Sequence, residues 1–176
     1  CKTFGRSAGL NPDWTEGRLE FDFSGAILPI ERPERSAQPL RPVDFIAKYA
    51  QELWLIEVKD PEGAPAPHRI GAIQDAIKGI QNEHLLKEHL LPKLYGTFAY
   101  LVWRNREPRG RVRYGVLIGL TTLSAPDRNM LTDKIQRIVD RIGPKVRHSR
   151  HWPVVEVHNI ASWNLAHANM RIIRHP

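Results

Sequence analysis

ELWLIEVKD, residues 52–60, is the stretch on which the fold turns. Leu53, Trp54, Leu55 and Ile56 form an apolar run that leads straight into Glu57, Lys59 and Asp60. Such a run has the composition of a buried strand. Side chains alternate along a strand, so Glu57 and Lys59 share one face at its end. The preceding stretch, VDFIAKYA (43–50), is also rich in β-formers and nearly touches it, which predicts a hairpin turning at Ala50-Gln51. In that register Tyr49 faces Glu52 and Asp44 falls opposite Glu57. An even turn brings Asp44 to the face of Glu57 and Lys59; a one-residue slip points it the other way.

Outward from the hairpin, RLEFDFSGAILPIE (18–31) alternates as a strand bent near Ser24-Gly25, and residues 1–17 read as irregular. RPERSAQPLRP (32–42) has three prolines and three arginines and reads as an exposed loop. After the Pro/Gly breaker PEGAPAPH (61–68), Ile70, Ile73, Ile77 and Ile80 recur at helical spacing. The helical pattern runs on through NEHLLKEHLL (82–91), with Pro92 a break or kink, and KLYGTFAYLVW (93–103) is assigned to a second helix.

VRYGVLIGL (112–120) is a buried-strand pattern. A third helix follows, with Ser124 as its N-cap, Pro126 in its first turn, an apolar stripe of Leu131, Ile135, Ile138 and Ile142, and Gly143-Pro144 as its stop. PVVEVHNI (153–160) and MRIIR (170–174) are closing strands. The expected architecture is one α/β domain over residues 1–176, a mixed β-sheet with hairpin strands flanked by helices.

Composition narrows the class. The chain has 176 residues, 41% hydrophobic and 26% charged, ordinary for a globular domain. No apolar run approaches the roughly 20 residues of a membrane helix, and the N-terminal stretch lacks the apolar core of a signal peptide. The single Cys1 leaves no internal disulfide and no thiolate zinc site. These features lead us to expect a cytoplasmic protein with no membrane partner. The formal net charge of +7 favours a polyanion, nucleic acid above all.

The convergence of Asp44, Glu57 and Lys59 has a chemical use. Two facing carboxylates repel, and a divalent cation reverses the sign of that interaction. Mg²⁺ takes hard oxygen ligands and keeps several waters, so one or two carboxylates suffice. A metal-activated water beside Lys59 suits attack on a phosphodiester. The competing reading of the same three residues is a cross-strand salt bridge on a solvated sheet edge, contributing about 0–1 kcal/mol.

The PVDF stretch (42–45), the thirteen positions from Asp44 to Glu57 and the IEVKD sequence (56–60) together resemble the PD-(D/E)xK nuclease superfamily, the restriction-endonuclease-like fold. The resemblance covers about residues 18–120. It implies a restriction-endonuclease-like core and a nuclease dependent on Mg²⁺ (or Mn²⁺). DNA is the expected substrate ahead of RNA, and a homodimer is a candidate assembly. It implies that Asp44 and Glu57 hold the metal with the carbonyl of Val58, and that Lys59 positions or activates water. Val43 separates the proline from Asp44, a variation tolerated in the family. The family's further acid, from a preceding helix, has no clear match; Glu16 and Glu20 are the candidates. The alternatives are a nuclease-like fold that has lost activity and serves as a nucleic-acid-binding or assembly subunit, and a basic interaction domain with structural acids.

Gln74 and Lys78 lie one turn apart on the helix that flanks the active site in this fold, and are candidate nucleic-acid contacts, against an ordinary solvent face. Two basic clusters are candidate phosphate grips: Arg104, Arg106, Arg109, Arg111 and Arg113, and Lys134, Arg137, Arg141, Lys145, Arg147 and Arg150. Of these, Arg137 and Arg141 are the chosen nucleic-acid contacts. Interleaved aromatics are sparse, which argues against a base-stacking platform. His148 and His151 read as loop residues. His84 and His89, five apart, are not expected to share a helix face, and Trp163-Asn164 reads as a packing corner.

Overall fold

The computed structural model describes residues 15–24, 26, 31, 33, 40–49, 51–106, 108, 110–142 and 153–175. Strands β1 (Thr15–Glu16), β2 (Leu19–Phe21), β3 (Phe45–Tyr49) and β4 (Glu52–Lys59) lead into α1 (Ala66–Gln81) and α2 (Leu91–Trp103). Then come β5 (Arg111–Ile118), α3 (Ala125–Ile142), β6 (Val154–His158), α4 (Ile160–Ala166) and β7 (Ile172–Arg174). The main sheet is mixed, in the order β3-β4-β5-β6: β3 and β4 form the antiparallel hairpin, and β4, β5 and β6 run parallel.

The hairpin register matches the expectation: Tyr49 pairs with Glu52 and Phe45 with Ile56, which sets Asp44 opposite Glu57 just beyond the last ladder pair. On one face, Leu55, Val112, Tyr114, Val116, Ile118, Val155 and Val157 pack under the helices, joined by Leu94, Leu131, Ile135 and Val139. On the other, Trp54, Ile56, Val58 and Leu117 pack with Leu19, Phe21, Phe45 and Trp163. This second layer is a small sheet, β1-β2-β7, with α4. The chain is thus α/β with a mixed sheet flanked by helices. Among the described residues no helix is long and apolar enough to cross a membrane.

Several expectations are corrected. Among the described residues, the 18–31 segment forms the strand Leu19–Phe21 in the small sheet and an isolated bridge from Glu31 to Ile46; the Asp22 side chain accepts the Ser24 N–H (2.9 Å) just after the strand. Residues 15–16, expected to be irregular, form β1. The first helix does not run through residues 82–91. It stops at Asn82; Glu83 takes a positive φ of 61°, and a π-helical turn, Leu85–Leu90, restarts the chain. Pro92 follows directly, where the backbone stays helical from the π-helical turn into α2, so it does not break the chain. The isoleucine stripe of α1 is buried only at Ile80; Ile70 is 73% exposed. The C-terminal end of α1 lies in the core, against the π-helical turn, and Ile73 packs half-buried against the same core.

Other elements stand as expected. Ser124 Oγ accepts the Asp127 N–H at 3.2 Å and opens α3, while the Gly143-Pro144 stop lies outside the described residues. Trp163 is buried and its Nε1–H donates to the Met170 carbonyl at 2.6 Å. Asn164 exchanges two hydrogen bonds with the Ile172 backbone, so the corner splices β7 onto α4.

Candidate active site

The apolar run of β4 carries Glu57 completely out of solvent. A cross-strand pair on a solvated edge is therefore excluded for this residue. Asp44 meets it from the chain leading into β3. The Val58 N–H donates to Asp44 Oδ2 at 2.8 Å, which takes the place of the next ladder bond and fixes the carboxylate. An extended residue points its N–H and C=O to the same side, so the Val58 carbonyl is directed toward Asp44 as well. Lys59 Nζ lies 2.8 Å from Glu57 Oε1. The three residues singled out in the sequence are thus brought together.

A second cation joins them. Lys93 Nζ lies 3.4 Å from Glu57 Oε2 and 3.6 Å from Asp44 Oδ1. The local sequence of α2 places it. Gly96 has no Cβ because the Leu40 carbonyl occupies that space. One residue on, Thr97 Oγ1 accepts the Val43 N–H (2.9 Å) and donates to the Lys93 carbonyl (2.7 Å). The helix face carrying Lys93 is thereby clamped to the segment carrying Asp44. No sequence spacing links residue 93 to residue 57, which is why the hairpin pattern did not reveal it.

Electrostatics follow from the geometry. Burial, and then Asp44, push the Glu57 carboxyl up to about 7, against the pull of the two lysines. Burial alone would lower Lys59, but Glu57 and Asp44 outweigh it and hold the ammonium above its ordinary value. Glu16 adds to that effect, so of the two acids considered it is the one that stands near Lys59. Glu20 instead meets His175 Nε2 at 2.8 Å. Beneath the site, the fully buried Tyr114 donates to the Leu90 carbonyl at 2.8 Å; burial, Glu57 and Asp44 all keep its phenol protonated. His89 is held below its ordinary value by burial and by the Lys59 charge. His84 and His89 do meet, ring centroids 5.7 Å apart, because a π-helical turn aligns residues five apart.

The donor set fits a hard divalent cation. Both Glu57 oxygens are buried, and the groups beside them are the two ammoniums, Lys59 at 2.8 Å from Oε1 and Lys93 at 3.4 Å from Oε2. Two carboxylates and a backbone carbonyl are the oxygen ligands that Mg²⁺ or Mn²⁺ accepts.

The candidate nucleic-acid contacts are exposed on two helices. Gln74 and Lys78 are exposed on α1, and among the described residues no hydrogen bond or ion pair joins them to Asp44, Glu57 or Lys59. Arg137 and Arg141 are exposed on α3. In the first basic cluster, Arg106 pairs with Glu31, and Arg111 and Arg113 with Glu52 at 3.3 and 2.8 Å. Arg113 also pairs with Glu156 and lies over the Trp54 ring. These three arginines are engaged within the fold. Arg109, Lys145, Arg147, His148, Arg150 and His151 lie outside the described residues.

No protein-family model, curated protein or solved structure matches this chain.

Proposed function

We propose that this protein is a divalent-metal-dependent nuclease with a restriction-endonuclease-like core, hydrolysing phosphodiester bonds, in DNA rather than RNA. The observation that carries this reading is the convergence of Asp44, Glu57 and Lys59 on one end of a buried strand, with Glu57 fully buried and both its oxygens turned to ammonium groups. Asp44 Oδ1, Glu57 and the Val58 carbonyl would hold Mg²⁺ or Mn²⁺. When bound, the metal supplies a water of lowered pKa and neutralises charge on the phosphate oxygens.

The chain's own residues do the rest. Lys59, fixed by Glu57 Oε1, presents its remaining N–H bonds to a phosphate oxygen or to the attacking water. The Val58 N–H locks Asp44, so one carboxylate is oriented before substrate arrives. The apolar layer beneath, with Leu55 and Val116, keeps bulk water from the inner side of Glu57 and strengthens its interactions.

Lys93 supports a second reading. Its ammonium lies between the two carboxylates and supplies positive charge that a metal would otherwise supply. A protein that keeps it there is a nuclease-like nucleic-acid-binding or assembly subunit without hydrolytic activity. The discriminating experiment incubates end-labelled single- and double-stranded DNA and RNA with the protein, with and without Mg²⁺ or Mn²⁺. Metal-dependent cleavage that disappears in Glu57→Ala and Lys59→Ala supports the nuclease. Tight binding of uncut nucleic acid, with no metal uptake by calorimetry, supports the second reading.

A further inference from the structure

A second cluster of ligand atoms lies on the opposite face of the sheet. Val155 and Val157 enter the helix-side core, so Glu156 and His158 between and beyond them point the other way, toward α4. His167 joins them from the C-terminal end of α4, its ring edge-on to Trp54 and Trp163 with centroids 4.8 Å away in each case. One donor atom from each residue lies within 4.8 Å of the other two. His158 Nε2 and His167 Nε2 stand 3.3 and 3.1 Å from the same oxygen, Glu156 Oε2. Two ligands of a tetrahedral zinc ion, with bonds of about 2.0–2.2 Å, are about 3.4 Å apart.

Ser162 Oγ accepts the Asn159 N–H (3.1 Å) and reaches both the Asn159 carbonyl (3.1 Å) and His158 Nδ1 (3.3 Å). When Ser162 accepts from His158 Nδ1–H, Nε2 of the neutral ring carries the lone pair and faces Glu156 Oε2. That is the tautomer a metal ion selects. His167 Nε2 is buried and has no aligned hydrogen-bond partner. Glu156 Oε1 is taken by Arg113, which leaves Oε2 to the two imidazoles. Two nitrogens and an anionic oxygen thus surround one point that calls for a cation.

We propose that Glu156, His158 and His167 form a binding site for a borderline transition-metal ion, Zn²⁺ foremost. Imidazole nitrogens suit Zn²⁺, Co²⁺ or Ni²⁺ and not Mg²⁺, so the site is distinct in chemistry as well as in place from the Asp44–Glu57 centre. Ser162 and Arg113 orient the ligands from behind. Bound metal would tie the end of α4 to β6 and would stabilise the fold by mass action.

The test is calorimetric titration of chelator-stripped protein with ZnCl₂ at pH 7.5, paired with the visible spectrum of the Co²⁺ form. We expect one Zn²⁺ per chain, a tetrahedral Co²⁺ spectrum, a higher Tm with Zn²⁺, and no displacement by excess Mg²⁺. His158→Gln and His167→Gln should each weaken binding at least 100-fold, and Ser162→Ala about tenfold. The double variant His84→Gln/His89→Gln should bind as wild type does. No uptake by the wild type, or uptake unchanged in the His158 and His167 variants, overturns the site. If those variants fail to fold by circular dichroism, Ser162→Ala decides: unaltered affinity counts against the proposal. If protonated histidines alone satisfy Glu156, Zn²⁺ will not raise Tm at pH 7.5, and the cluster is a hydrogen-bond network only.

Discussion

Lys93 Nζ stands 3.4 Å from Glu57 Oε2, the oxygen that Lys59 does not take. Because the same ammonium also reaches Asp44 Oδ1, a divalent ion held by both carboxylates must compete with it. Replacing Lys93 with methionine keeps the stem and removes the charge. We expect Mg²⁺ or Mn²⁺ to bind about tenfold tighter to Lys93→Met, or ~1.4 kcal/mol. The metal-free protein should lose about 1–3 kcal/mol, since a buried carboxylate loses one of its two counter-charges. Calorimetry and urea denaturation read the two effects separately. Metal affinity unchanged from wild type would mean that Lys93 does not contest the site.

Glu57 gives a pH signature. Its carboxyl is raised to about 7 from an ordinary 4.5, so between those values the folded protein binds more protons than the unfolded chain. Stability of the metal-free protein from this group is therefore full below about pH 4.5 and falls as pH rises through 7. Glu57→Gln removes the titration. It should be more stable than wild type at pH 8, with the advantage shrinking through pH 7 and gone near pH 4.5. Metal binding must expel the same proton, so calorimetry at pH 6 in buffers of different ionisation heat should show close to one proton released. Equal pH profiles for wild type and Glu57→Gln would refute the assignment.

Asp44 distinguishes a ligand from a structural acceptor. Its Oδ2 satisfies the Val58 N–H, a bond that an asparagine oxygen can also make. Asp44→Asn should therefore leave metal-free stability within about 1 kcal/mol of wild type while sharply weakening metal binding. Asp44→Ala strands the N–H and should cost about 1–3 kcal/mol. Thermal denaturation of the two variants, without metal, tests the difference. Equal losses in both would assign the stabilisation to the Lys93 pair instead.

The hairpin was legible because its signal is local. Two apolar runs separated by Ala50-Gln51 left only a choice of register, and the pairing of Tyr49 with Glu52 and of Phe45 with Ile56 settles it. Lys93 was not legible, since its place depends on the close approach of α2 to residue 40 at Gly96. The break at Asn82–Glu83 was hidden because leucines continue at helical spacing across it, and the left-handed turn at Glu83 uses no glycine. The isoleucines of α1 show the limit of periodicity: spacing defines a stripe, but whether anything covers it is a tertiary matter. His158 and His167 are separated by a helix, and only the fold of α4 against β6 brings them to Glu156.

Substrate grip is tested through α3. Gln136 bonds the Val155 N–H and Thr132 the Val157 N–H, so Thr132 lies level with Val157, which the sheet register aligns with Val116 and Glu57. Arg137 and Arg141 then lie roughly 8 and 14 Å further along the helix, at about 1.5 Å per residue. At that distance they suit flanking phosphates, not the scissile one. Arg106, Arg111 and Arg113 are engaged with Glu31, Glu52 and Glu156, whereas Arg137 and Arg141 are exposed on α3. Binding measured with Ca²⁺ in place of Mg²⁺ should weaken linearly on a log–log plot against salt, each phosphate contact adding about 0.9 to the slope on duplex DNA. Replacing both Arg137 and Arg141 with alanine should flatten that slope by up to about two units and weaken all sequences alike. The rate of cleavage at saturating substrate should stay within about twofold of wild type, since neither side chain is placed to touch the reacting phosphate. An unchanged slope would leave α3 a solvated surface, and a loss confined to one sequence would make these arginines readers of bases.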